Sequence, residues 1–119
     1  MKFTGKKRET ISIIEEDATF EGTLTVQGKL IIRGTVKGTV VGDTVIIGET
    51  GSVYARIKAG SVTVGGTVDG RLRALRDLTI LPTGCCRGKV LCRDVAVEPG
   101  GLLHAEVTRL SDYGSPDVF

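Results

Sequence analysis

Val36-Lys37-Gly38-Thr39-Val40 reads apolar, charged, glycine, polar, apolar, and the same kind of five-residue word occurs five more times along the chain. Upstream it is Phe20-Glu-Gly-Thr-Leu24. Downstream it is Val53-Tyr-Ala-Arg-Ile57, Val68-Asp-Gly-Arg-Leu72, Cys86-Arg-Gly-Lys-Val90 and Leu103-His-Ala-Glu-Val107. Successive first residues lie 16, 17, 15, 18 and 17 positions apart. Each word follows a second short run, of which Leu30-Ile31-Ile32, Val45-Ile46-Ile47, Val62-Thr63-Val64, Leu78-Thr79-Ile80 and Val95-Ala96-Val97 are the clearest; Ser12-Ile13-Ile14 holds that place in the first unit. The connectors alternate through the first five units between long ones such as Gly48-Glu-Thr-Gly-Ser52 and short ones such as Gly65-Gly-Thr67, which accounts for the uneven spacing.

Strand geometry sends alternate side chains to opposite faces, so residues 36 and 40 share an apolar face while 37 and 39 share a polar one. A unit of about 17 residues is too small to bury its own apolar face, whereas stacked units bury it jointly. The composition agrees: 17 glycines, abundant Val and Thr and no Trp favour strands and tight turns over helices. The chain is therefore expected to be all-β, a single-domain parallel β-helix (solenoid) of about six layers with a triangular cross-section. A hairpin meander would need antiparallel register and two-residue turns, and the constant direction of the repeat argues against it. The solenoid is expected over residues 10–110, between a basic N-terminal tail (1–9) and a C-terminal tail (111–119). The central residues Gly22, Gly38, Ala55, Gly70, Gly88 and Ala105 are expected to face inward, where walls approach closely.

Other chemistries find little support. A length of 119 residues fits one domain, and a net charge of +2 with sparse aromatics does not describe a nucleic-acid binder. No apolar run approaches the ~20 residues of a membrane span. Cys85, Cys86 and Cys92 offer no pairing framework, which suggests a reducing, cytoplasmic setting. They also lack a fourth soft ligand, so no metal site is expected. His104 has no partners for a triad and the glycine-rich turns precede no helix, so neither a catalytic site nor a cofactor site is expected.

The V-x-G-T-V and I-G-E-T-G-S-V elements, repeated over about residues 10 to 110, resemble the bactofilins, bacterial cytoskeletal proteins that polymerise. The resemblance implies a right-handed β-helix assembling into filaments without bound nucleotide. It also implies a scaffold for cell-shape and cell-wall factors, often at the inner membrane.

A β-helix ends in layers with unpaired backbone groups and half-covered core side chains, and no amphipathic capping helix fits the tails. The ends are therefore expected to join copies of the chain. The first layer would offer Ile11, Ile13, Ile14 and Phe20. The last would offer Val95, Val97, Leu102, Leu103, Val107 and Leu110. Head-to-tail and alternating contacts both remain open, and the resemblance favours the latter. Met1, Lys2, Phe3, Lys6, Lys7 and Arg8 combine apolar anchors with cations that suit an anionic membrane surface, or simply form a solubilising tail. Stacking places Arg56, Arg71 and Lys89 in one outward column beside Lys58 and Arg73, either an anion-binding patch or a solvated face. Partners expected are further copies of the chain, inner-membrane lipid and envelope or cell-wall proteins. The rival readings are a left-handed hexapeptide-repeat acyltransferase, to which Ile47-Gly48 has a superficial likeness, and a monomeric anion-binding solenoid.

Overall fold

A computed structural model describes residues 10–109. Nine strands follow in order: β1 (Thr10–Ile14), β2 (Thr19–Thr25), β3 (Gly28–Ile32), β4 (Thr35–Val41), β5 (Thr44–Ile47), β6 (Ser52–Val64), β7 (Thr67–Ile80), β8 (Cys85–Val97) and β9 (Leu102–Arg109). Every pairing is parallel. One ladder runs β1, β3, β5 and then the C-terminal parts of β6, β7 and β8. The other runs β2, β4, the N-terminal parts of β6, β7 and β8, and then β9. Each ladder has six rungs, so the chain is a β-solenoid of six coils.

The first residues of the repeated word stack in one column, Phe20↔Val36↔Val53↔Val68↔Cys86↔Leu103. Within it Val36, Val53, Val68 and Cys86 are fully buried. Leu30, Val45, Val62 and Leu78 form the matching buried column of the first ladder. The long connectors each close on a backbone hydrogen bond, as from Gly51 N to Gly48 O at 2.8 Å and from Gly84 N to Leu81 O at 2.8 Å. The short connector then docks on the long one below through Thr67 N to Gly51 O at 3.0 Å.

The central glycines depart from expectation. Residues 36, 38 and 40 would share one face of a straight strand, yet Val36 and Val40 are buried while Gly38 is exposed. Gly38 has φ +120° and Gly70 +139°, a region that L side chains seldom adopt. An added Cβ on Gly38 would meet the Gly22 carbonyl oxygen of the coil beneath. The chain turns a corner there, dividing the repeated word between two short walls. With the first ladder as the third wall, and further corners at Arg33-Gly34 and Gly42-Asp43, the section is triangular. Only Ala55 of these six positions is buried; the glycines mark an edge of the prism, not its interior.

The corner within β7 carries one residue more than the matching corners of β6 and β8, two residues (Leu75 and Arg76) standing opposite one where the register slips between Ala74 and Asp77. The Arg76 guanidinium lies against Gly60 and reaches back across the stack. Its Nε donates to Ser61 Oγ at 3.3 Å and its Nη2 to Asp43 Oδ1 at 3.2 Å. The repeat pattern gives no hint of this strap.

Candidate assembly interface

Because successive coils cover one another, the inward side chains of a middle coil are sealed on both sides and those of an end coil on one. At the C-terminal end this leaves apolar surface open. Val95 and Val97 continue the inward columns of Leu78 and Ile80, which are fully buried, yet remain 42% and 45% exposed. Val107 continues the column of Val90 and is 41% exposed. Leu103 and Ala105 pack partly against the core. Leu102 is exposed too, but it extends the Thr67–Cys85 column beside the corner.

The N-terminal end is different. Ile14 and Leu24 are buried although they belong to the first coil, and Phe20 and Ala18 pack against the same core. Ile14 therefore offers no free surface. Ile11 and Ile13 are exposed for another reason: they alternate with inward Ile14 and point out from the lateral wall of the first ladder. Of the expected first-layer set, only Phe20 combines an inward column with partial exposure. Leu110, and the six N-terminal residues Met1, Lys2, Phe3, Lys6, Lys7 and Arg8, lie outside the described residues.

The outward columns match the expected stacking. Glu21, Lys37, Tyr54, Asp69, Arg87 and His104 are in register, as are Thr23, Thr39, Arg56, Arg71, Lys89 and Glu106. Arg56, Arg71 and Lys89 are exposed on consecutive rungs, with Lys58 and Arg73 paired in the next outward column. Arg56 and Arg71, with Tyr54 and Asp69, line a shallow groove of about 630 Å³ along the glycine corner.

Cys86 and Cys92 face inward and are buried, while Cys85 is partly exposed. Burial pushes the Cys86 thiol up to about 12, with Cys85, Asp69 and Cys92 adding to the effect. Burial and Asp94 raise Cys92, against an opposing pull from Arg109. These are packed thiols kept protonated, not nucleophiles. Among the described residues no cluster of His, Cys, Asp and Glu has the makings of a metal site, and no helix is long and apolar enough to cross a membrane.

The structure is thus a six-coil parallel solenoid with apolar side chains exposed in its last coil. A family model described as bactofilin, polymer-forming cytoskeletal, matches residues 12–108, nearly the whole solenoid. The chain belongs to the bactofilin family. Its class is thus structural and cytoskeletal, and self-association is its shared property. Comparison with curated proteins and with solved structures returned no match.

Proposed function

We propose that this bactofilin is a scaffold that joins end to end into filaments without nucleotide, at the cytoplasmic face of the inner membrane, in support of cell shape or envelope organisation. The observation that carries the reading is the contrast between Val95, Val97 and Val107 and their counterparts one coil earlier. The same inward positions go from at most 1% exposed in the fifth coil to more than 40% in the sixth. The matching residues of another copy would return them to the core environment that every other coil has. The glycines that might otherwise suggest a phosphate cradle are accounted for by corners and close backbone approach. The basic, Phe-containing segment 1–8 is the proposed membrane contact, weak per copy and strengthened by its repetition along a filament. The exposed Arg56–Arg71–Lys89 column, with Lys58 and Arg73 beside it, is a proposed contact for an acidic envelope partner. Loss of polyanion binding on Arg71→Glu is its test.

Negative-stain microscopy of the purified, nucleotide-free protein tests assembly. Long filaments support the scaffold, whereas discrete trimers would favour the acyltransferase architecture and lasting monomers the isolated binding module. Removing residues 1–8 is expected to abolish co-sedimentation with anionic liposomes while filaments persist. Unchanged co-sedimentation would reject the membrane anchor.

A further inference from the structure

The outward face of the first ladder is unusually apolar at one end and acidic at the other. One of its columns is Ile13–Ile31–Ile46–Thr63–Thr79–Ala96, the other Ile11–Lys29–Thr44–Ser61–Asp77–Asp94. Ile11 is 65% exposed and Ile13 40%. Lys29 and Asp77 have no ion-pair partner among the described residues, whereas Asp94 has Arg109 at 4.0 Å.

We propose that this wall is a lateral contact between two copies of the chain, packed face to face with opposed solenoid axes, so that filaments pair side by side. The inference rests on the end-to-end reading above. A two-fold axis parallel to the strands lays each column on its own counterpart with the rung order reversed. Lys29 of the second rung then faces Asp77 of the fifth rung on the partner, twice by symmetry. In the same arrangement Ile13, Ile31 and Ile46 meet Ala96 and the methyl groups of Thr79 and Thr63. A two-fold axis along the solenoid would instead set second rung on second rung and fifth on fifth, bringing lysine near lysine and aspartate near aspartate. The charges select the first arrangement. An anionic membrane suits this wall poorly, because Asp77 and Asp94 share it and Glu15, Glu16 and Asp17 border it.

The wall spans six strands at ~4.8 Å and about four residues at ~3.3 Å, a footprint of roughly 400 Å². That is about half of what one partner of a stable complex usually buries (~800 Å²), so single subunits do not pair through it. Where successive subunits of a filament present this wall on the same side, the contact recurs and the weak contacts multiply.

Low-speed pelleting, which brings down bundles and leaves single filaments in solution, tests the assignment together with microscopy. Lys29→Asp or Asp77→Lys alone is expected to cut the low-speed pellet at least ten-fold while high-speed pelleting is unchanged. The double variant Lys29→Asp/Asp77→Lys restores bundling. All these positions point outward, and unchanged melting curves verify the fold. Single variants that bundle like wild type, or a double variant that fails to recover, overturn the wall. So does a Lys29→Asp protein that loses anionic liposomes but keeps its bundles, since the wall would then face lipid. Wild-type filaments that stay single overturn the pairing alone; a wild type without filaments overturns the end-to-end reading and the pairing with it.

Discussion

Val97→Asp should separate the subunits while leaving each one folded. Fully burying a valine side chain is worth roughly 1.5–3 kcal/mol, and 45% of Val97 is still exposed, so covering it at a junction contributes about 1 kcal/mol. Val95 and Val107 hold similar open fractions. In a two-fold contact each counts twice, giving roughly 6 kcal/mol of apolar burial. Backbone hydrogen bonds along the unpaired edges of the last coil add about 1 kcal/mol each. The sum stands against an association cost of ~4–15 kcal/mol, so the junction has little to spare. An aspartate at 97 removes the valine term from both copies and brings two carboxylates into a closing apolar seam. At least about 4 kcal/mol is lost, or ~1000-fold in the junction constant. Within the free subunit the new side chain faces solvent at the open end, and its melting midpoint should move by only a few degrees. High-speed pelleting across a concentration series reads the junction, and circular dichroism reads the fold. A folded Val97→Asp protein that pellets at the wild-type concentration would show that the C-terminal coil is not where copies meet.

Gly38→Ala should lower stability by at least ~2 kcal/mol, because the residue sits at φ +120° and its new Cβ meets the Gly22 carbonyl oxygen; thermal melting checks this, and an unshifted midpoint would refute the corner assignment. Arg76→Ala removes exposed contacts to Asp43 and Ser61 and should cost no more than about 1 kcal/mol, a difference that fades in high salt. Cys86 titrates near 12 when folded, against an ordinary value of 9.0. The unfolded chain therefore loses this proton first, and stability falls as pH rises from about 9 towards 12, by at most ~1.4 kcal/mol per pH unit; chemical denaturation of wild type beside Cys86→Val isolates that slope, and equal slopes would reject it. Because the C-terminal coil is the more open end, association at rising protein concentration should pass through a dimer before filaments appear, which sedimentation velocity can resolve; growth from monomers alone would argue for equivalent ends.

The repeat spelled out the register residue by residue, since a parallel stack places like positions above like. The cation column Arg56–Arg71–Lys89 and the burial of Cys86 followed from that alone. The direction of the central glycines did not. Alternation assumes a straight strand, and a positive φ at Gly38 breaks it without changing the letter pattern. The strap from Arg76 to Asp43 was hidden because it depends on a one-residue insertion absent from the coils on either side. The lateral isoleucines are legible in the triplets that carry them. Leu30-Ile31-Ile32 and Val45-Ile46-Ile47 are unbroken apolar triplets, and a strand must send the middle residue of each away from the core.

The same logic explains why the two ends differ despite a nearly uniform repeat. In one inward column the residues are Phe20, Val36, Val53, Val68, Cys86 and Leu103, so the largest side chain stands in the first coil. Its bulk packs against a core whose first-coil members, Ile14 and Leu24, are already buried. The last coil has no such residue. Its three inward valines are of the size that suits a middle coil, yet each is more than 40% exposed. A sequence selected to end as a monomer would place polar groups at those positions, as terminal repeats of soluble solenoids do. Valine at those positions gains from the company of another copy, which is the physical ground for the proposed end-to-end junction.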